Sequence, residues 1–398
     1  MITVEQAGQI IQSQTRDFGV EEVFYENSLQ RVLAETLFAD RDLPPFNRAT
    51  VDGIALHFED YKNGLRSFKI KATQAAGEIP VAIDARGACV ELMTGAALDE
   101  SVDTVIRYED LDLSDGSATI KDVEVKRSQN IHFRGKDKKQ YDKMAGAGEV
   151  ISPALIGLAA SIGKTRLQVK KLPRVAILST GDEMVPPHTV PTAFQLRRSN
   201  GVTLKAVLES YRIDAEVFHL NDDSALIESV LSRCLDAYDV LLMSGGVSMG
   251  KFDYVPQVLE GLGVVQLFHK IKQRPGKPFW FGARDGRQLV FAFPGNPVSV
   301  WMCLHRYFIP WLEASLEIRS RAPEYAVLQN DIYFPHSLQF FVQVKLEMND
   351  RGMLTALAAE TNGSGDFSNL VYTDAFMELP LEKNEFKKGE VYPVWRYR

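Results

Sequence analysis

The chain has 398 residues, and its 45 lysines and arginines against 52 aspartates and glutamates give a formal net charge of −7. This length predicts roughly two to four domains, and the acidic balance argues against nucleic acid as a partner, so any anion site must depend on a local cluster of cations. The three distant cysteines (Cys89, Cys234 and Cys303) indicate reduced thiols, and the sequence shows neither a signal peptide nor a long apolar stretch, so we expect a cytoplasmic protein without a membrane segment.

The first predicted element is helical and extends from residue 1 to about residue 45. Its apolar residues recur at helical spacing until the Pro44–Pro45 pair ends the pattern. These apolar residues are Ile10, Ile11, Val23, Leu29, Val32, Leu33 and Leu37. A shorter helix is predicted over 155–162, with Gly163 at its end. We expect the two helical segments to pack together.

Short alternating runs lie between these helical segments, from about residue 46 to residue 134. Examples are FKIKA at 68–72 and DTVIRYE at 103–109, with glycines and a proline between the runs. This pattern predicts a small β domain. If the flanking helical segments pack together, the β domain is an insertion between them.

Strands and helices alternate from about Arg174 to Leu312. The predicted strands are 175–180, 215–220, 239–243, 264–271 and 289–293, and helices are predicted to begin near 199–200, 224 and 253. A hairpin turn is predicted at Asp285–Gly286. The alternation predicts a doubly wound, largely parallel sheet. From about Glu324, runs rich in Phe, Val and Tyr, with a turn at 363–365, predict a compact β domain.

Three turns between Ser244 and Val300 have the composition of anion-binding turns. In SGGVSMGKFDY (244–254), an apolar strand runs into Gly245 and Gly246, a turn that lets backbone N–H groups face an anion. In FPGNPVSV (293–300), a strand ends in Pro-Gly-Asn-Pro and a helix follows, so its N-terminus favours negative charge. Between them, RPGKPFWFG belongs to a basic run of Lys270, Lys272, Arg274 and Lys277. The turns predict a phosphorylated or otherwise anionic small-molecule substrate.

Carboxylates follow several of the predicted parallel strands, at the edge where such sheets bind ligands. They are Asp182, Glu183, Asp222, Asp223 and Asp253. Each feature also has a purely structural interpretation, since acidic residues at these places cap helices, Gly-Gly and Pro-Gly turns end strands, and basic runs form polar strand faces. No histidine shows metal-ligand spacing. The coincidence of all these features at one sheet edge favours a binding site.

The motifs, taken in order, resemble the molybdopterin molybdenumtransferase (MoeA) family, to which the C-terminal half of gephyrin also belongs. They are VDG (51–53), MTGA (93–96), STGDE (179–183), SGGVSMGKFDY, RPGKPF and FPGNPVS. The resemblance runs from about residue 5 to the C-terminus. It implies a multidomain α/β fold: an N-terminal helical and linker domain (1–45 plus 135–172), an inserted small β domain (46–134), a doubly wound MogA-like α/β domain (173–318) and a C-terminal β-barrel-like domain (319–398).

The resemblance also implies an activity, in which molybdenum from molybdate is inserted into adenylylated molybdopterin and AMP is released. The implied catalytic residues are Asp52, Glu183, Asp222 and Asp253. Mg²⁺ is the implied cofactor, with the last three as its ligands, and Asp52 is implied to reach the site across a homodimer interface. The implied substrate-binding residues are Thr94, Ser179, Thr180, Gly181, Gly245, Gly246, Ser248, Lys270, Arg274, Lys277, Pro294, Asn296 and Pro297. Weaker matches are Asp137, Ser364 and Ser368. Transient contacts with molybdopterin adenylyltransferase and acceptor molybdoenzymes are implied as well, and neither nucleic acid nor a membrane is expected.

Some positions depart from the family pattern. In NRATVDG, the residues before the aspartate of VDG differ from those usual in relatives, and Arg48 lies close to Asp52 in the sequence. In QLRRSN, Arg198 stands where an acidic or amide residue is common. Three hypotheses therefore stay open. They are molybdenum insertion, a non-catalytic molybdopterin-binding or scaffolding paralogue, and a related nucleotide-pterin hydrolase or adenylyltransferase.

Overall fold

The structure is a computed structural model that describes residues 1–221, 223–247, 254–318 and 323–398. The chain divides into two compact units. The first comprises residues 1–34, 147–152 and 166–398, and the second comprises residues 35–146 and 153–165. The elements that follow Thr165 therefore form one unit with the N-terminal segment.

The N-terminal segment of the first unit begins with a short helix, α1 (Val4–Gln12). A capping box starts it, because the Thr3 hydroxyl accepts a hydrogen bond from the Gln6 N–H and the Gln6 side chain accepts one from the Thr3 N–H. The prediction of a helix as far as residue 45 is wrong beyond Gln12. Gly19 adopts a positive φ of 89°, and Val20–Phe24 then forms a strand that pairs antiparallel with Arg166–Lys170. A pairing partner almost 150 residues away thus decides the conformation, and the apolar spacing does not.

A six-stranded sheet forms the centre of the first unit. Its strands are β1 (Val175–Thr180), β2 (Glu216–Leu220), β3 (Val240–Ser244), β4 (Val265–His269), β5 (Trp280–Arg284) and β6 (Gln288–Phe293). They lie in the order β2-β1-β3-β6-β5-β4. Neighbours among the first four pair parallel, and β5 pairs antiparallel with both β6 and β4. Asp285 and Gly286 both adopt positive φ in the β5–β6 turn, as a tight hairpin requires. The predicted largely parallel sheet and its hairpin are confirmed.

Helices cover both faces of this sheet. They are α2 (Asn200–Ser210), α3 (Ser224–Ala237), α4 (Val255–Gly261), α5 (Pro297–Cys303) and α6 (Ile309–Ser315), with the π-helical turn Leu304–Phe308 between the last two. On one face, Val175 and Ile177 of β1 share a core with α2 and α6, and on the other, Ala176 and Leu178 share a core with α3 and α4. Because successive strand residues point to opposite faces, a fully buried β1 is apolar nearly throughout. The doubly wound architecture is confirmed.

The C-terminal part of the first unit is a closed barrel. Its strands are β7 (Glu324–Leu328), β8 (Gln339–Met348), β9 (Leu354–Ala358), β10 (Ala375–Leu379) and β11 (Val391–Arg396). They pair in the order β8-β9-β7-β11-β10, and β10 pairs again with β8 to close the ring. The strand Gln273–Arg274 pairs with the start of β8. The basic segment after β4 is therefore attached to the barrel.

The second unit is mostly β structure, as predicted. Its six-stranded sheet has the order Thr104–Arg107, Gly53–Leu56, Ala88–Leu92, Ser67–Gln74, Ser117–Ile120 and Leu111–Ser114. Two short pairs join Arg48–Ala49 to Ile131–His132 and Leu37–Phe38 to Lys143–Ala145. The helices are Phe58–Lys62 and Pro153–Ser161, and the second confirms the helix predicted to end before Gly163.

The remaining elements of both units are short. Met184–Val185 pairs with Leu196–Arg197, Ile332–Tyr333 pairs with Glu385–Phe386, and 3₁₀ turns occupy Tyr25–Asn27, Tyr108–Asp110 and Ser368–Val371. Within the described ranges, no helix is both long enough and apolar enough to cross a membrane.

The three cysteines are buried and form no disulfide, which confirms the prediction of buried reduced thiols. Burial raises the pKa of Cys89 to about 12 and that of Cys234 to about 11, and it raises the pKa of Cys303 as well. A thiol reacts as the thiolate, so all three are expected to be inert at neutral pH.

Gly53 offers a test of close packing in the second unit. A Cβ added there would lie 1.8 Å from the carbonyl oxygen of Ile106 in the neighbouring strand. The substitution Gly53→Ala should lower the free energy of unfolding by about 3 kcal/mol, because the backbone must move to accept the methyl group. Gly157→Ala is the control: the added Cβ meets nothing within 4 Å in the helix Pro153–Ser161, so a gain of about 0.5–1 kcal/mol is expected. Equal urea midpoints for the two variants would contradict the predicted clash.

Candidate functional site

The carboxyl ends of β1, β3 and β6 meet at one edge of the sheet. The backbone N–H of Gly245, directly after β3, donates to the carbonyl oxygen of Phe293 at the end of β6 (3.2 Å). Asn200, the first residue of α2, donates from its side-chain amide to the Ser244 hydroxyl (2.7 Å) and to the Gly295 carbonyl oxygen (2.8 Å). One buried amide thus ties the start of a helix to two of the predicted anion-binding turns.

The Gly245–Gly246 turn can only be formed by glycine. Both residues have positive φ, 90° and 71°. A Cβ on Gly246 would lie 2.9 Å from the Thr180 hydroxyl oxygen and 2.8 Å from a methyl group of Val255. The turn after β3 therefore packs directly against the end of β1. This close approach keeps the backbone of the turn, without side chains, at the sheet edge.

The end of β1 carries hydroxyl groups and then a carboxylate. Ser179 and Thr180 are nearly buried, at 7% and 8% exposure. Gly181 follows with a φ of 126°, and a Cβ there would lie 2.6 Å from a carboxylate oxygen of Glu183. Glu183 itself is exposed. The chain reversal after β1 thus holds one carboxylate against Gly181, the residue that follows the two hydroxyl groups.

The third turn is partly occupied by contacts within the protein. Asn296 precedes α5, but its side-chain amide donates to the Ser364 hydroxyl (2.7 Å) and does not cap the helix. The Val298 N–H donates to the Ser364 carbonyl oxygen (3.2 Å). The prediction that this helix start offers its N–H groups to an anion is therefore wrong for Val298. What the turn does provide is a link from Pro294–Pro297 to the loop that carries Ser364.

The basic segment borders a cavity of about 280 Å³ beside this link. Its lining includes one cation, two hydroxyl groups, an amide and several apolar side chains. These lining residues are Arg274, Pro275, Val298, Phe334, Phe340, Phe341, Val342, Gln343, Thr361, Gly363 and Ser364. The Arg274 guanidinium lies over the Phe334 ring, 5.9 Å from its centroid. Gln343 is only 3% exposed, and its side-chain oxygen has no hydrogen-bond partner.

This cavity, which we call the Arg274 cavity, is therefore partly polar, with one cation in its lining. The unpartnered oxygen of Gln343 is buried beside it. A buried polar atom without a partner is costly unless a ligand or water satisfies it. Lys270 is half-buried and Lys277 is exposed on the same segment. Neither lysine is among the residues that line the cavity.

A larger cavity of about 610 Å³ lies elsewhere in the first unit, next to α1. None of the site residues predicted from the sequence lines it. Its central charges neutralise each other, because Arg306 donates to Glu378 (2.9 Å) and the Trp395 indole also donates to that carboxylate. The geometry therefore gives no reason to locate an anionic substrate there.

Three predicted site residues, Asp222, Ser248 and Asp253, lie outside the described residues. Asp223, beside the first of them, caps α3 by accepting hydrogen bonds from the N–H groups of Ala225 and Leu226. Asp223 thus has the purely structural role of a helix cap. No group of three or more His, Cys, Asp or Glu suited to a metal ion occurs in the part of the chain that the structure describes.

The second unit carries the remaining predicted residues, Asp52 and Thr94. One oxygen of Asp52 accepts hydrogen bonds from both the N–H and the hydroxyl of Thr94, each at 2.6 Å. These hydrogen bonds lower the pKa of Asp52, so it is ionised at neutral pH. Arg48, His132 and Asp137 form a chain in the same unit, with His132 3.3 Å from Arg48 and 2.9 Å from Asp137. The weakly matched Asp137 thus has a defined partner.

Some residues of the site were missed by the motif analysis. Asn200 was noted only as a helix start, Gln343 lies in an apolar strand, and His219 was set aside because it lacks metal-ligand spacing. His219 contacts Ser179 across β1 and β2. Because side chains alternate along a strand, the sequence places His219 on the opposite face of the sheet from Leu220. Only the register of the folded sheet places it beside Ser179.

Family models match nearly the whole chain in order. The MoeA N-terminal region (domain I and II) matches residues 2–163, a probable molybdopterin binding domain matches 176–314, and the MoeA C-terminal region (domain IV) matches 325–397. A curated molybdopterin molybdenumtransferase of Synechocystis sp. is 36% identical over 400 residues, covering 100% of both chains. The corresponding protein of Staphylococcus epidermidis is 27% identical, covering 99% of this chain and 95% of its own.

Solved structures agree with these matches. The crystal structure of the molybdopterin biosynthesis MoeA protein from Pyrococcus horikoshii superposes with a TM-score of 0.84 at 27% identity, covering 100% of this chain and 99% of the other. The likeness extends over both units and the barrel, because the coverage is complete. The chain therefore belongs to the molybdopterin molybdenumtransferase family.

Proposed function

We propose that the protein inserts molybdenum during molybdenum cofactor biosynthesis, transferring it from molybdate to adenylylated molybdopterin with release of AMP. The observation that carries the proposal is the convergence of the chain segments that follow β1, β3 and β6 at one sheet edge. Asn200 ties the turns after β3 and β6, and Gly246 packs against Thr180 at the end of β1. Membership of the family supplies the reaction, since the full-length relatives are named for molybdenum transfer to molybdopterin. The two findings are independent, because one is geometric and the other comes from the comparison of whole chains.

The nucleotide-pterin is proposed to bind along the ends of β1, β3 and β6. Ser179, Thr180 and Gly181 would contact it from β1, and Gly245 and Gly246 from β3. Pro294, Asn296 and Pro297 would shape the third side. Phosphate oxygens need several donors in fixed positions, and a turn without side chains lets the ligand approach the backbone. The Gly245 N–H already donates to the Phe293 carbonyl oxygen, so the donor of this turn would be the Gly246 N–H. Ser248 is proposed as a further contact by resemblance.

Molybdate is proposed to bind in the Arg274 cavity. It is a dianion, and the planar fork of a guanidinium is suited to two of its oxygens. Gln343 also lines this cavity, and its side-chain amide would donate to the same ligand from its NH₂ group. Ser364 offers a hydroxyl, and Lys270 and Lys277 would add positive charge.

Mg²⁺ is proposed as the cofactor, held by Glu183, Asp222 and Asp253. Carboxylate oxygens are the donors it prefers, and the exposed carboxylate of Glu183 meets that requirement. The other two residues lie outside the described ranges, so their contribution rests on the resemblance. When bound, the ion would neutralise phosphate charge as the phosphoanhydride is cleaved. The protein's own contribution would be positioning by the turns and charge stabilisation by the cations.

The assembly and surroundings of the protein are also proposals. Asp52 and Thr94 are proposed to complete the site of a second subunit in a cytoplasmic homodimer. Transient contacts with molybdopterin adenylyltransferase and with acceptor molybdoenzymes would deliver the substrate and remove the product. The two breaks between the three family-model matches support the predicted boundaries near residues 172 and 318, and the further division of residues 1–172 into two domains stays a prediction.

The deciding experiment measures AMP release from adenylylated molybdopterin by the purified protein, with and without molybdate and Mg²⁺. Formation of active cofactor is followed in the same reaction. Release that requires molybdate and yields active cofactor supports the proposal. Tight binding without release would instead support the scaffolding hypothesis, and release that is independent of molybdate would support a hydrolase.

Glu183→Gln should lower the rate of AMP release by a factor on the order of 100, because a charge that holds the cation is lost. The fold should be unaffected, since the side chain is exposed. Glu209→Gln, at an exposed position near the end of α2, is the matched control and should retain full activity. Comparable rates for the two variants would remove Glu183 from the mechanism.

Arg274→Ala should raise the molybdate concentration needed for half-maximal rate by about 10-fold or more, because a charge-assisted hydrogen bond to the oxyanion is lost. The affinity for the nucleotide-pterin should change little. Lys272→Ala is the control, since this exposed cation belongs to the same run but does not line the Arg274 cavity. An identical molybdate dependence in both variants would exclude the proposed role.

A further inference from the structure

Ser179 and His219 form a side-chain pair at the carboxyl edge of the sheet. They are directly opposite each other in the parallel register of β1 and β2. The Ser179 hydroxyl oxygen lies 3.0 Å from Nδ1 of His219. Ser179 is 7% exposed and His219 is partly buried. The contact therefore involves a hydroxyl that belongs to the proposed nucleotide-pterin site and a titratable ring behind it.

Charged groups from two further segments act on His219. In the described part of the chain they are Arg198, which opposes protonation of the ring, and Glu183 and Asp182, which favour it. Arg198 is held in place because its N–H donates to the Val185 carbonyl oxygen and its side chain donates to that of Met184. Burial, followed by the charge of Arg198, lowers the pKa of His219. The ring is thus mostly neutral at pH 7 and gains its proton at a lower pH than an ordinary histidine.

The protonation state of His219 decides which way the Ser179 hydroxyl points. A neutral ring with its proton on Nε2 accepts at Nδ1, so the Ser179 O–H is directed toward the ring and offers a ligand only lone pairs. A protonated ring donates from Nδ1, so it occupies a lone pair of the hydroxyl and turns the O–H group away from the ring. The Phe218 carbonyl oxygen lies 3.5 Å from the Ser179 hydroxyl and accepts this O–H weakly, so a closer phosphate oxygen would replace it. Phosphate oxygens accept hydrogen bonds, so the arrangement with a protonated His219 ring favours phosphate binding.

We propose that His219 is a positioning residue that orients the Ser179 hydroxyl toward the phosphate of the bound nucleotide, and that this orientation strengthens nucleotide binding as the solution becomes acidic. The inference rests on the proposed function, because it takes the ligand of Ser179 to be a nucleotide phosphate. Protonation also adds a positive charge close to the anion, so both effects act in the same direction. By linkage, a bound phosphate must in turn raise the pKa of His219.

The probe for the test is AMP, without Mg²⁺, measured as the dissociation constant from pH 8 to pH 5. Because the phosphate of AMP itself titrates near pH 6, each value is compared with that of His219→Asn, whose amide occupies the position of Nδ1 but does not titrate. The ratio of variant to wild-type dissociation constants should be near 1 at pH 8 and about 10 at pH 5. His188→Asn changes an exposed histidine between Glu183 and Arg198, and its ratio should stay near 1 at every pH.

Two further measurements separate the hydroxyl from simple charge and from loss of fold. Ser179→Ala removes the hydroxyl but keeps the titrating ring, so its binding should retain a smaller pH dependence than that of the wild type. In NMR spectra of the wild type, the pKa of His219 should rise when AMP is added. A ratio for His219→Asn that stays near 1 down to pH 5, or a pKa of His219 that AMP does not change, would overturn the proposal.

Failure of the His219 proposal can be distinguished from failure of the proposed function. If AMP release from adenylylated molybdopterin depends on molybdate but the His219→Asn ratio is flat, the reaction stands and the role of His219 is wrong. If no release occurs while the ratio still rises toward pH 5, the proposed reaction is overturned and the orientation of Ser179 by His219 is supported.

Discussion

The site depends on two hydrogen bonds that the buried side-chain amide of Asn200 donates. The amide donates to a hydroxyl at the end of β3 and to a backbone carbonyl after β6, and Asn200 is itself the first residue of α2. A buried polar group without partners is costly, so an amide that satisfies two acceptors holds both of them in place. The turns after β3 and β6 therefore keep a fixed separation, and the close approach of Gly246 to Thr180 joins the end of β1 to them.

The basic segment that carries Arg274 is attached to the barrel, and this attachment brings its positive charge to the site. The chain as a whole is acidic, with a net charge of −7, so the basic run acts only where the fold brings it. Gln273 and Arg274 pair with the start of β8, and Asn296 reaches across to Ser364 on a barrel loop. The Arg274 cavity thus arises where sheet and barrel segments of the first unit are linked by hydrogen bonds.

Local chemistry made much of this architecture predictable. β1 is apolar through almost its whole length because both faces of a central parallel strand are covered by helices, and its bounds agree with the prediction. The Asp285–Gly286 turn was predicted from residues that tolerate positive φ. The motifs also predicted that the turns meet at one sheet edge, and the contacts of Asn200 confirm this for the turns after β3 and β6. The first forty-five residues show the opposite case. Their helical spacing holds only for α1, since Val20–Phe24 finds a strand partner at Arg166–Lys170.

The sequence by itself determined the strand and helix alternation, the positions of the turns and the family, because each follows from residues that are close in the chain or from motifs in a set order. Only the tertiary structure decided which side chains meet. Val298 gives its N–H to Ser364, Asn200 joins two turns, and His219 faces Ser179. These contacts depend on strand register and on packing between segments that are 40 to 95 residues apart, and no local pattern encodes a register between strands that are not neighbours in the chain.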